Sequence, residues 1–172
     1  MSEKEKIFLS ILESHKGIIY KVVNNYCYDK SDQNDLIQEI VLQIWKSIDI
    51  FNQNNKWPTW IYKIALNSSI SVYRKNKNRK EKTVSLSPIV ETTNTFENTF
   101  DDEDFMLLRK FIQELKEIDR AFILLHLDGL TSVEVADIMD TTQTNVTTRI
   151  SRIKKKLKIK FEENKYKNHG KH

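Results

Sequence analysis

Tyr62, Lys63, Leu66, Asn67, Ile70, Tyr73, Arg74 and Lys77 recur three or four residues apart, the spacing of one helix face. Aromatic rings interleaved with cations suit a nucleic-acid strand, because rings stack on bases while cations neutralise phosphates. The chain then adds Arg74, Lys75, Lys77, Arg79, Lys80 and Lys82 against the single acid Glu81. A solvated basic helix end with Tyr62 and Tyr73 half-buried gives the same pattern, and spacing alone leaves both readings open. A second set lies downstream. Gln143, Thr144, Asn145, Thr147, Thr148, Arg149, Ser151 and Arg152 face outward from a helix whose inward side is Val146, Ile150, Ile153 and Leu157. Gln and Asn amides pair bidentately with adenine, and Arg with guanine, in a major groove. A plain helical bundle with a soluble face is the competing reading.

Covalent chemistry finds no comparable constellation. His15, His126, His169 and His172 are scattered, Cys27 has no evident base, and no glycine-rich phosphate loop appears. The acids Asp101 to Asp104 fit a helix N-terminus better than a magnesium site, and His15 falls on an apolar stripe without a second ligand. The sequence therefore predicts no catalytic residue, no metal and no cofactor, and a protein that is not an enzyme.

The elements that must position these residues are helical. With 3 Gly, 2 Pro and 39% hydrophobic residues in 172, the chain disfavours a turn-rich β architecture. Ile7, Phe8, Ile11, Leu12, Ile18, Ile19, Val22, Val23 and Tyr26 mark a first helix. Leu36, Ile37, Ile40, Val41, Ile44, Trp45, Ile48 and Phe51 mark a second, with Ser31 or Asp32 as its expected N-cap. A third opens at Trp57-Pro58-Thr59, proline being pre-set for a first helical turn. Its expected core side is Trp57, Trp60, Ile61, Ile64, Ala65, Ser68 and Val72.

Residues 83–101 lose this periodicity and read as a flexible, acidic linker. Four short helices are expected after it. One is stopped by Gly129, the next opens on the capping box Thr131-x-x-Glu134, and a polar turn then leads into the last, making a helix-turn-helix. From Lys158 onward a helix end followed by a frayed basic extension is expected.

Charge follows the same division. Residues 91–104 hold six acids and no cation, whereas Arg149 to the end holds ten Lys/Arg against Glu162 and Glu163. The net charge is +4, and basic segments separated by an acidic one fit a nucleic-acid binder. Cys27 alone permits no intrachain disulfide, no leader pattern opens the chain, and the run Ala121 to Leu125 is too short to span a bilayer. A cytoplasmic protein without membrane insertion is expected.

Both halves in this order resemble a bacterial RNA polymerase sigma factor of the extracytoplasmic-function type. Asp35-Leu36-Ile37-Gln38-Glu39 followed by Trp45 is similar to the family's region 2 helix, which docks on core polymerase. Thr59 to Asn67, then Arg74, is similar to the segment that opens and reads the −10 element. Glu134 to Met139 and Asn145-Val146-x-x-Arg149-x-x-Arg152-Ile153-Lys154 resemble region 4, which reads the −35 element. Ser71, Trp57-Pro58 and Asp140 depart from common family residues, and Asp still tolerates a left-handed turn.

The resemblance implies an all-α fold of two small domains. They would be region 2 over residues 1–82 and a region 4 helix-turn-helix over 102–160, joined by the linker 83–101 and followed by a basic tail over 161–172. It implies polymerase docking by Asp35, Leu36, Gln38 and Glu39. The −10 contacts would come from Asn52, Gln53, Asn54, Asn55, Lys56, Trp57, Tyr62, Lys63, Asn67 and Arg74. The −35 contacts would come from Gln143, Thr144, Asn145, Thr147, Thr148, Arg149, Arg152 and Lys155. Its partners would be core RNA polymerase, promoter DNA and an anti-sigma factor. A stand-alone helix-turn-helix regulator that binds duplex DNA without polymerase is the alternative.

Overall fold

A computed structural model describes residues 1–52, 54–82 and 103–169, and the linker expected at 83–101 lies outside them. Among the described residues the chain is all-α. It divides into two units, Met1–Thr95 and Phe96–His172.

The first unit holds α1 (Glu3–Tyr26), α2 (Lys30–Ser47), a 3-10 turn (Ile48–Ile50) and α3 (Trp57–Lys82). Ser2 starts α1 with a capping box: its Oγ accepts from the Glu5 amide at 3.2 Å, and its own amide donates to Glu5 Oε2 at 2.6 Å. Asp29, rather than Ser31 or Asp32, caps α2, its Oδ1 accepting from the amides of Ser31 at 2.8 Å and Asp32 at 3.3 Å. Gln33 Nε2 donates back to the Cys27 carbonyl at 2.9 Å, which ties the start of α2 to the end of α1. The helices pack three ways, each against the other two. Ile11, Ile19, Val22, Val23 and Tyr26 meet Leu36, Ile40 and Ile44, together with Ile61, Tyr62, Ala65, Leu66 and Ile70.

That list corrects the face expected for α3. Tyr62, Leu66 and Ile70 were expected to point outward, yet all three are buried. Trp57, Trp60, Ile64, Ser68 and Val72 are only half-buried. The core side of α3 is rotated because it must meet α1 and α2 at once.

Cys27 is buried at the end of α1, and loss of hydration pushes its thiol up to about 11. Only the thiolate is nucleophilic, so a shift from 9.0 to about 11 leaves roughly a hundredth of the ordinary thiolate population at neutral pH. Alkylation of the native protein should therefore be about 100-fold slower than in denaturant. The linkage has one sign: the raised folded value contributes stability below pH 9 that is lost as pH rises toward 11. Equal alkylation rates in native and denatured protein would overturn this.

The second unit holds α4 (Glu103–Gln113), α5 (Glu117–Leu127), α6 (Ser132–Ile138) and α7 (Gln143–His169). Gly129 (φ 80) takes the left-handed position after α5. The Leu130 amide then bonds the Leu125 carbonyl at 3.2 Å and the Gly129 amide bonds His126 at 3.1 Å, a Schellman closure. Thr131 opens α6 with the expected box, Oγ1 accepting from Glu134 at 3.3 Å. Asp140 (φ 50) closes α6 in the same left-handed manner, the Thr141 amide reaching the Ala136 carbonyl at 3.0 Å. Thr142 Oγ1 then accepts from the Asn145 amide at 3.2 Å at the start of α7.

Val146, Ile150, Ile153 and Leu157 are buried, as their spacing predicts. The helix end expected at Lys158 continues through the stretch expected to fray, and α7 is helical to His169. Phe161 sets its ring against Phe111 of α4 at 5.1 Å, and Lys160 pairs with Glu114, which gives the second half of α7 a partner.

Candidate nucleic-acid interface

On α2, Asp35, Gln38 and Glu39 are exposed along one row, and Gln43 Nε2 donates to Glu39 Oε1 at 2.7 Å. Leu36 is 2% exposed and belongs to the core, so the docking role expected of it is withdrawn. Leu42, a 43% exposed apolar residue, lies on the same row as Asp35, Gln38 and Glu39. The spacing from Asp35 through Gln38 and Glu39 to Leu42 places it on that row, but an exposed Leu is easily passed over inside an apolar run.

Between α2 and α3, Phe51 stacks on Trp57 with ring centroids 3.5 Å apart and planes at 14°. Trp60 meets both rings edge-on, at 5.2 Å and 5.4 Å. The rings close a loop whose residues Asn52, Asn54, Asn55 and Lys56 are exposed; Gln53 lies outside the described residues. Asn52 turns inward on the loop, its Oδ1 accepting from the Asn54 amide at 3.0 Å while its carbonyl accepts from Asn55 at 2.9 Å. Beyond the loop, Lys63 (half-buried), Asn67 and Arg74 (both exposed) share one row along α3. Tyr62, at 6% exposure, has no ring face to offer a base and leaves the set. Tyr73, half-buried, sits edge-on to Tyr26 at 6.1 Å.

In the second unit, α6, the turn through Asp140 and α7 form the helix-turn-helix. Gln143, Thr144, Asn145, Thr147, Thr148, Ser151, Arg152 and Lys155 are exposed. Asn145 Nδ2 donates to Thr141 Oγ1 at 2.7 Å, which orients its amide, and Thr147 Oγ1 bonds the Gln143 carbonyl at 3.0 Å. Arg149 differs from its neighbours: its Nε is 2.8 Å from Asp119 Oδ1 and its guanidinium carbon 5.0 Å from the centre of the Phe122 ring. Asp119, thirty positions earlier, carries no local signal of this role.

Among the described residues no group of three or more His, Cys, Asp or Glu could hold a metal ion, and no helix is long and apolar enough to cross a membrane.

These two surfaces fall inside two recognised segments. Residues 11–79 match the model of Sigma-70 region 2, and residues 105–157 match that of Sigma-70, region 4. The chain belongs to the ECF sigma factors. It is 27% identical over 162 residues to the ECF RNA polymerase sigma factor SigW of Bacillus subtilis, covering 88% of this chain and 87% of that one. It is 26% identical over 170 residues to the ECF RNA polymerase sigma-E factor of Escherichia coli K12, covering 92% and 88%.

Two solved structures share the fold. One is the sigma factor RpoE of Bartonella quintana in complex with the anti-sigma factor NepR, with TM-score 0.70, 18% identity and coverage of 92% and 96%. The other is CnrH in complex with the cytosolic domain of CnrY, with TM-score 0.67, 16% identity and coverage of 92% and 90%. As a sigma factor, the protein binds core RNA polymerase and directs transcription initiation at promoters. The stand-alone regulator is not favoured, because region 2 accompanies the helix-turn-helix.

Proposed function

We propose that the first unit docks on core polymerase through the α2 row Asp35, Gln38, Glu39 and Leu42. The same unit captures separated −10 bases with the loop Asn54–Lys56 and the α3 row Lys63, Asn67 and Arg74. The second unit holds the −35 duplex with the exposed face of α7 from Gln143 to Lys155. The observation that carries this division is the burial pattern. In each unit the polar set faces away from an apolar core, and Tyr62 and Leu36, which do not, drop out of the sets. Binding alone suffices for this work, so the protein acts without catalysing a covalent step, in the cytoplasm where its polymerase works. One structural relative is seen with an anti-sigma factor, and an anti-sigma factor is the regulatory partner proposed here too.

Footprinting with core polymerase tests the division. The complex should protect both promoter elements, while the protein alone should protect neither at the same concentration. For docking, Asp35→Asn combined with Glu39→Gln should weaken core binding by about 10-fold or more, the scale of an interface hot spot. Helical circular dichroism should not change, since neither carboxylate supports the core. Unaltered affinity for core would remove α2 from the docking surface.

A further inference from the structure

We propose that Asp119 is a positioning residue for −35 recognition. It holds Arg149 at the border of the recognition helix, in the orientation from which the guanidinium meets the duplex. The proposal rests on the reading of α7 as the −35 helix and adds a residue from α5 that does not itself face DNA.

Arg149 lies four residues after Asn145 and three before Arg152, on the row that bounds the exposed face of α7. Its side chain is 37% exposed, whereas Asp119 is 15% exposed. The carboxylate takes Nε at 2.8 Å, and the buried Phe122 ring lies 5.0 Å from the guanidinium carbon. One bond and one ring together fix both the direction and the plane of the fork. No other hydrogen bond joins Arg149 to the described residues, so the Nη groups keep their donors for a partner.

A long arginine left to itself samples many rotamers, and bidentate reading of guanine needs one plane. Holding that plane before DNA arrives lowers the entropy cost of contact. A purely structural staple is a poorer account of the pair. Val146, Ile150, Ile153 and Leu157 already bury the inner side of α7, and a partly exposed ion pair adds little to stability.

The test measures binding of the protein loaded on core polymerase to promoters carrying every single-base change in the −35 element. Arg149→Ala should relax discrimination at one base pair by about 10-fold. Asp119→Asn should relax the same base pair by roughly 3- to 10-fold, with core affinity and thermal unfolding unchanged, and Asp119→Glu should restore most of it. In the Arg149→Ala background Asp119→Asn should add nothing, since the two act as one unit.

If Asp119→Asn weakens every −35 sequence equally, or none, while Arg149→Ala still relaxes one position, the positioning role is overturned and the −35 reading stands. If Arg149→Ala relaxes no position, the role falls with the contact it was to serve. Asn145→Ala then decides the parent reading: relaxation at another base pair keeps α7 as the −35 helix, and no relaxation removes it.

Discussion

Arg120→Ala is expected to unfold the helix-turn-helix unit while leaving the first unit intact. Arg120 is 1% exposed, among the most deeply buried side chains of the protein. Its Nη2 donates to the Gln113 carbonyl at 2.6 Å and the Leu115 carbonyl at 3.3 Å. These carbonyls belong to the end of α4 and the turn into α5, where a helix has no intrahelical donors left. A cation there also opposes the partial negative charge of the helix end. Alanine would strand both carbonyls away from water and leave a cavity, a combined cost of about 3–5 kcal/mol. A unit of this size has roughly 3–10 kcal/mol in hand. Backbone hydrogen exchange should show lost protection across α5, α6 and the first half of α7, with α1–α3 unchanged. Arg120→Lys should fall between, because one ammonium reaches a single carbonyl more readily than two. Undiminished protection in α7 would mean that the turn is held by other contacts.

The sequence made this unit's helices legible but not its arginines. Val146, Ile150, Ile153 and Leu157 repeat at helical spacing, and Gly129, Asp140 and the Thr131–Glu134 box mark where helices end and begin. Those are local signals. Arg120 and Arg149 both carry a charge, and charge reads as outward until a partner elsewhere in the chain is known. One turns inward onto carbonyls five and seven residues away, the other sideways onto an acid thirty residues away.

In the first unit the ambiguity has another source. Apolar residues occupy several rows of α3, because the helix packs on two neighbours and a third row ends in the tryptophans. Periodicity shows that such a helix exists without choosing its inner side, so Tyr62, Leu66 and Ile70 were placed wrongly. Asp29 and Ser31 are equally competent caps by chemistry, and the chain path after Cys27 chooses between them. The polar rows did emerge from spacing, since Asn67 and Arg74 carry nothing that a core accepts.

Trp57→Ala is expected to cost the protein its −10 discrimination while sparing core binding and −35 selection. Phe51 and Trp57 stand at the two ends of the Asn-rich loop, and their stack at 3.5 Å brings those ends together. Trp60 braces both rings from the side. Asn52 is spent on the loop's own turn, so the exposed groups proposed to meet a base are Asn54, Asn55 and Lys56. Taking a base from its stack costs a few kcal/mol, which amide contacts offset only if the loop is already shaped to make them. Removing the indole forfeits the ring pair, about 0.5–1.5 kcal/mol, together with its apolar burial. A loop released in this way should lose about 10- to 100-fold in affinity for the single-stranded −10 element, at 1.4 kcal/mol per factor of ten. Trp57→Phe keeps a flat ring over Phe51 and should retain most of the affinity. Moving the loop into a related sigma factor should transfer the −10 preference only when Phe51 and Trp57 move with it. A Trp57→Ala protein that binds core and still discriminates −10 sequences would show that the loop takes its shape from DNA rather than from the aromatic clasp.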